Sequence, residues 1–340
     1  MATALAIAGT GHFVGSATVS NELLATSMGL SPDWFTRRTG IIERRVCAAG
    51  EDVVTMAVDA VSRALQASAL PVSSIGPETV LLHVQNGMTA LTPPAGVLLS
   101  SALGIGSLRV LSVDGVCAEP VAMLDIASMM LASGSCERVI ISASVDFLPI
   151  INPADPATAG LFGAGAGAVV IERDGGSGRT PIAVESLRWE THPEWVDLGR
   201  IPVLGHKPNE HGVLVQAGYY DMNGLGLVRA GRRVVPSLVS RVLDDAGWRR
   251  EDLDLVLSHQ PNVRMLETTI DALGLNRETF PMPVVHQGNL GPASILVNLS
   301  MAASAGAIRP GAKVLFLAFG LGFSCGAAAI TVEPASEYVS

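Results

Sequence analysis

Cys117 is the residue whose surroundings point most directly to chemistry. It lies in the run SVDGVCAEPVAMLDIASMMLAS, residues 112–133. A strand over 108–113 and an Asp114-Gly115 turn are expected before it. Pro120 fits the first turn of a following helix, where its missing N–H costs nothing. Cys117 is therefore placed at or just before a helix N-terminus, where unpaired N–H groups and the positive end of the helix dipole favour a thiolate. A thiol so held is a candidate nucleophile. The competing reading is an inert core cysteine, since free Cys is among the most buried residue types. Glu119 stands two residues on, where it would raise the thiol pKa, act as a base or cap the helix. The other cysteines, Cys47, Cys136 and Cys325, form no CxxC pair, so neither a zinc site nor a disulfide framework is signalled.

An internal repeat picks out two partners for the thiol. Val80-Leu81-Leu82-His83 matches Val256-Leu257-Ser258-His259 at an offset of 176, and Cys117-Ala118-Glu119-Pro120 matches Asn289-Leu290-Gly291-Pro292 at an offset of 172. Val61-Ser62-Arg63 matches Val239-Ser240-Arg241 at an offset of 178. Similar offsets over most of each half imply a duplicated α/β unit, with related halves at 1–173 and 181–334. Cys117, His259 and Asn289 each follow a strand by a few residues. In an open parallel sheet, ligands collect at the carboxyl ends of strands, so all three belong on one rim.

The elements that must hold them alternate. Strands are expected at 3–8, 79–84, 108–113, 138–144 and 169–172, then at 182–189, 253–258, 283–285, 313–319 and 326–332. Helices are expected at 52–68, 93–103, 120–133, 225–246 (interrupted near Pro236), 263–273 and 291–305. This order implies mostly parallel sheets covered by helices. The two apolar helices, one per half, form a natural middle layer. Residues 192–221 read as an irregular insertion. The run 162–168 carries GAGAGA before a strand, so its glycines serve close backbone approach, and no dinucleotide fingerprint is assigned. Residues 173–180 read as a linker. Arg37-Arg38 and Glu43-Arg44-Arg45 form the most basic patch, read either as a solvated loop or as a contact for phosphate or an acidic partner.

The chain has 340 residues, 49% of them hydrophobic, with 36 Gly and a net charge of −9. The acidic balance argues against nucleic acid as a main partner. The first residues lack a signal-peptide pattern and no apolar run is long enough to span a membrane, so a cytoplasmic protein is expected. His192, His206 and His211 with Glu194, Asp197 and Glu210 match no ligand spacing, and no metal is assigned. His286 is read as a second base or as a strand-end histidine bonded to backbone, and His83 as a product of the duplication.

The whole chain resembles the thiolase-fold condensing enzymes of the β-ketoacyl-acyl-carrier-protein synthase III type. The resemblance is carried by Trp34 with Arg38-Thr39-Gly40-Ile41, Cys117-Ala118, Leu161-Phe162-Gly163 with Gly165-Ala166-Gly167-Ala168, His259-Gln260-Pro261-Asn262, Gly288-Asn289, Ala293-Ser294 and the run 320–326. It implies an α/β fold, a duplicated αβαβα five-layer sandwich with two mixed, mostly parallel sheets. It also implies that Cys117 takes an acyl group from a thioester, and that His259 and Asn289 hydrogen-bond the carbonyl of a malonyl-type thioester as CO2 leaves. The backbone N–H groups of Cys117 and Leu321 would form the oxyanion hole. Trp34, Arg38, Gly224, Asn262 and Arg264 would hold coenzyme A or the phosphopantetheine arm of an acyl carrier protein. No permanently bound cofactor is implied; acyl-CoA or acyl-carrier thioesters are the substrates, and a homodimer is implied, with 79–84 and 90–95 near its interface. Departures from the family pattern are Glu119-Pro120 for Gly-Phe, Thr92 where an aromatic closes the neighbouring subunit's acyl pocket, Ala164 in LFGAGAG, and Cys325 for Trp. The Arg that packs on adenine has no counterpart. They suggest a larger or differently shaped acyl pocket and a specialised member acting in polyketide or other secondary-metabolite biosynthesis. The alternative activity is transfer of the acyl group from Cys117 to a hydroxyl or amine, with no C–C bond formed.

Overall fold

A computed structural model describes residues 5–87, 89–173 and 178–334. The start of the expected first strand and half of the expected linker at 173–180 lie outside them. Nine strands form the main sheet: β1 (Leu5–Val14), β2 (Thr79–Asn86), β3 (Arg109–Val113), β4 (Arg138–Asp146), β5 (Ala164–Arg173), β6 (Thr180–Thr191), β7 (Leu255–Ser258), β8 (Lys313–Gly320) and β9 (Ser324–Val332). Their order across the sheet is β7-β8-β9-β6-β1-β5-β4-β2-β3. The sequence β1-β5-β4-β2 on one side is mirrored by β6-β9-β8-β7 on the other, so the repeat seen in the residues is also a repeat of topology.

Two features differ from expectation. The strands join into one hydrogen-bonded sheet, because β1 pairs antiparallel with β6 over Leu5–Ile7. The pairing is also mixed with antiparallel contacts dominant: only β2–β3, β2–β4 and β7–β8 are parallel. The physical reason lies in the connections. The turn 321–323 between β8 and β9 is too short for a crossover and forces an antiparallel pair. Alternation of elements in the sequence carries no such information.

Helices divide the molecule into layers. α1 (Val53–Ala67) packs on β1 and β5. α2 (Glu119–Ala132) and α5 (Ala293–Ser304) each touch strands from both halves and touch one another, which makes them the middle layer. α3 (Gly224–Ala246) covers β6, β8 and β9, and α4 (Val263–Leu273) packs against α3. α5 is buried along almost its whole length, whereas α2 leaves Met129 57% exposed. α1 starts at a capping box in which Asp52 accepts from Val54 N and Thr55 N while Thr55 Oγ1 accepts from Asp52 N.

Glycine spacing sets how closely α5 approaches the sheet. A Cβ at Gly167 would lie 2.6 Å from Leu296 Cβ and 2.7 Å from Val297 N, both on α5. The GAGAGA run thus does what its residue types suggested, and the strand begins at Ala164, five residues before the expected start. α3 runs unbroken through Pro236, against expectation. Its inward residues Val235, Leu238 and Val239 are buried, and that packing holds the helix together across the one backbone bond that Pro removes.

Three smaller readings also change. Arg44 is fully buried and its guanidinium donates to Asn21 Oδ1 at 2.8 Å and to the Gly160 carbonyl at 2.9 Å, while Arg45 donates to the Gly15 carbonyl at 2.7 Å. Both arginines brace the fold, and Arg44, being buried, is unavailable to phosphate. Residues Val284–Gln287 are a helical turn, and His286 there is exposed and faces Glu43 Oε1 at 3.3 Å. The insertion holds a hairpin, Val203–Asn209 with Gly212–Ala217.

Candidate active site

Cys117 lies just beyond β3, two residues before α2 begins at Glu119, as the Pro120 position implied. Behind it stands Gly320, the last residue of β8, where a Cβ would come 2.8 Å from Cys117 Cβ and 3.2 Å from Sγ. The turn that follows contains Leu321 and Gly322, the latter at φ +113°. Its backbone and the thiol are therefore immediate neighbours.

His259 follows β7, and its backbone N–H donates to the Leu317 carbonyl at 2.8 Å. Asn289 is pinned from both sides: its N–H donates to the Leu161 carbonyl at 2.8 Å, and its carbonyl accepts from Gly163 N at 3.0 Å. One residue then orients both side chains. The Gly291 carbonyl accepts from His259 Nδ1 at 3.2 Å, and the Gly291 N–H donates to Asn289 Oδ1 at 2.8 Å. Because a carbonyl only accepts, His259 carries its proton on Nδ1 and Nε2 keeps a lone pair. By the same logic the Asn289 amide is fixed with its NH2 group free. Ser294 Oγ donates to the same Gly291 carbonyl at 2.8 Å.

Cys117, His259 and Asn289 all line one cavity of about 890 Å³. Trp34, Arg38, Gly224, Asn262, Arg264 and Leu321 line it too. Arg38 lies over the Trp34 ring, 4.3 Å from its centroid. Asn262 caps α4 by accepting from Met265 N at 2.9 Å, and Arg264 donates to the Arg37 carbonyl at 3.2 Å and pairs with Glu267 at 3.1 Å. Gly224 opens α3 with nothing near its missing Cβ. Two expected modulators stand apart. Thr92 is exposed and off the wall of this chain's own cavity, its expected place being the pocket of a neighbouring subunit. Glu119 is also off the wall, packed against Gly115 behind the thiol, with Oε2 buried and unpartnered.

Burial tunes the titratable groups. It pushes the Cys117 thiol well above the ordinary range, and the neighbouring Glu119 charge adds to this. Burial likewise raises the Glu119 carboxyl against the pull of backbone N–H groups. His259 is lowered to about 4 by burial, partly offset by its bond to Gly291. The resting pair is a neutral thiol and a neutral imidazole.

Sequence reasoning missed the aromatic part of the wall. Phe147, Tyr220, Phe319 and Phe323 line the cavity beside Phe162. Tyr220 comes from the insertion, whose sequence has no period to read. For metals, Glu190, His192 and Cys325 bring ligand-type atoms within 4.8 Å of one another. Glu190 is already engaged there by Arg241 at 2.7 Å and by His192 at 3.2 Å.

Comparison with known proteins identifies the family and the fold. Residues 111–187 match the family 3-oxoacyl-[acyl-carrier-protein (ACP)] synthase III, and residues 243–332 match its C-terminal region. The chain is 34% identical over 335 residues to a Streptomyces coelicolor beta-ketoacyl-[acyl-carrier-protein] synthase III 3, covering 97% of this chain and 98% of that one. It is 31% identical to the acetoacetyl CoA synthase NphT7 of a Streptomyces species, covering 95% and 97% respectively. A crystal structure of 3-oxoacyl-(acyl carrier protein) synthase III from Pseudomonas aeruginosa superposes with a TM-score of 0.84 at 25% identity, covering 98% of this chain and 99% of that one. The fold is thus the thiolase-like α/β architecture, and the chain belongs to the 3-oxoacyl-[acyl-carrier-protein] synthase III family.

Proposed function

We propose that the protein loads an acyl group from an acyl-CoA or acyl-carrier thioester onto Cys117. It then condenses that group decarboxylatively with a malonyl-type thioester to give a 3-oxoacyl thioester in fatty-acid or polyketide synthesis. The observation that carries this reading is the pair of opposed bonds at Gly291, which leaves a lone pair on His259 and a free N–H donor on Asn289 in the cavity of Cys117.

In the first stage His259 Nε2 takes the thiol proton and Cys117 sulfur attacks the thioester carbonyl. The oxyanion is held by the N–H groups of Cys117 and Leu321. Its collapse breaks the C–S bond to the donor, which leaves as a thiol with the proton from His259. In the second stage the malonyl carbonyl accepts from Asn289 Nδ2. The bond to the carboxylate breaks, CO2 leaves, and the electron pair enters an enolate whose oxygen Asn289 stabilises. The enolate carbon attacks the acyl-Cys117 carbonyl and expels the thiolate. With Nδ1 bonded to Gly291, His259 is read as donating to a carbonyl only while it holds the proton from Cys117, and Asn289 as donating at every stage.

Trp34, Arg38 and Arg264 would hold the nucleotide or carrier end of the thioester at the mouth, and Gly224 leaves room for the arm. A homodimer fits the exposed edge strand β3, with Leu111 49% exposed, and the exposed loop at 90–94. The expected contact strand at 79–84 is covered, since β3 pairs with its outer edge. No helix among the described residues is long and apolar enough to cross a membrane. Labelled malonyl thioester and an acyl donor test the reading together. Labelled CO2 and a 3-oxoacyl product are expected, with an acyl mass increment on Cys117 when malonyl thioester is withheld. An acyl adduct that forms and then passes to a hydroxyl or amine with no CO2 release would replace condensation by the simpler transfer.

A further inference from the structure

Of the eight Phe in the chain, Phe147, Phe162, Phe319 and Phe323 line the one cavity that holds Cys117, in a protein with only 4% aromatic residues. Two of them join Tyr220 in a block of three touching rings. Phe147 and Phe162 have centroids 4.6 Å apart, Phe162 and Tyr220 5.3 Å apart at 84°, and Phe147 and Tyr220 5.9 Å apart. The block is fastened to the reacting groups. A Cβ at Gly291, the residue that orients His259 and Asn289, would lie 3.1 Å from the Phe147 ring. Phe162 forms a β-bridge with Asn289, and the Tyr220 N–H donates to the Ile150 carbonyl at 2.8 Å. Tyr220 and Cys117 line the same cavity, and the charge of Cys117 contributes, after burial, to raising the Tyr220 phenol.

We propose that Tyr220 sets the acyl specificity of this site, favouring an aromatic acyl group with an oxygen substituent over a saturated alkanoyl chain. The inference rests on the acyl-Cys117 reading above. Two physical arguments support it. Fixed rings present faces and edges whose quadrupoles reward a planar partner beyond the area buried, a gain no alkyl chain can make. Tyr220 also brings the only hydroxyl of the three rings. An alkanoyl group packed against it removes water and offers no partner, whereas a ring oxygen replaces the lost bond; sites built this way reject the analogue lacking the polar group.

The test follows acylation alone, by the rate of mass increase on Cys117. The probes are N-acetylcysteamine thioesters of hydroxybenzoate, benzoate and hexanoate. In the unmodified protein the hydroxybenzoyl thioester is expected to react at least about tenfold faster than the hexanoyl one. Tyr220→Phe should erase the advantage of hydroxybenzoyl over benzoyl and keep that of benzoyl over hexanoyl. Tyr220→Leu should favour hexanoyl. Hexanoyl reacting as fast as hydroxybenzoyl in the unmodified protein overturns the proposal, and so does an unchanged hydroxybenzoyl-to-benzoyl ratio in Tyr220→Phe. Either result leaves the acyl-enzyme reading standing. Absence of any adduct from all three thioesters overturns both.

Discussion

At the scale of single residues, Glu119 and the pair His259–Asn289 make separable predictions. Burial and the Glu119 charge both raise the Cys117 thiol, so its thiolate is scarce at neutral pH. Alkylation of Cys117 by iodoacetamide should then rise about tenfold per pH unit between pH 7 and 9 without levelling, since an ordinary thiol titrates near 8.5. Glu119→Gln removes a negative charge beside the sulfur and should move the profile about one pH unit toward acid. An unmoved profile would reduce Glu119 to a helix cap. Asn289→Ala removes a donor to the enolate and leaves the proton acceptor in place. Acylation should proceed near the original rate while CO2 release falls about 10²–10³-fold. His259→Gln should slow acylation, because the thiol then has no base, and condensation only through the scarcity of acyl-enzyme; comparing mass increase with CO2 release separates the two variants.

At the scale of elements, the sign of a substitution depends on what stands opposite a glycine. Gly167→Ala forces β5 and α5 apart, because the added carbon meets Leu296 Cβ at 2.6 Å and the Val297 N at 2.7 Å. Overpacking against backbone should cost about 2–3 kcal/mol. Gly231, mid-way along α3, has its nearest neighbours at 3.9 Å. Gly231→Ala should therefore gain about 0.5–1 kcal/mol from helix propensity alone. Urea midpoints of the two variants should move in opposite directions. The same contrast marks what the residues made legible. Helix periodicity, the Pro120 start and the strand ends before Cys117 and His259 could be read because each has a local physical cause. Strand direction could not, since it is fixed by which turns are too short to cross over. Tyr220 and its aromatic partners also escaped, because three segments far apart in sequence, at 147, 162 and 220, meet only after folding.

At the scale of the whole molecule, two histidines stand at corresponding strands of the mirrored sheet order, His83 on β2 and His259 just after β7. Both are completely buried, and burial lowers each to about 4. Only His259 lines the cavity; His83 faces away from it, between the sheet and its outer helices. The pair makes stability depend on pH in a fixed sense. A depressed histidine pKa means that the folded state resists protonation, so the unfolded chain binds the extra proton first. Stability from each ring is complete above the unfolded pKa of 6.5 and declines as pH falls toward about 4, where the folded ring also titrates. Each contributes a loss on the order of 3 kcal/mol across that window. Carboxylates titrate in its lower part, so the comparison must be between variants. His83→Gln keeps a polar side chain of similar reach and removes one of the two titrations while leaving the cavity untouched. Its denaturation midpoint should fall less steeply between pH 6.5 and 4.5 than that of the unmodified protein, whatever its stability at pH 7. Parallel curves would show that His83 takes up its proton as readily in the folded state as in the unfolded chain, and the buried neutral environment assigned to it would be wrong.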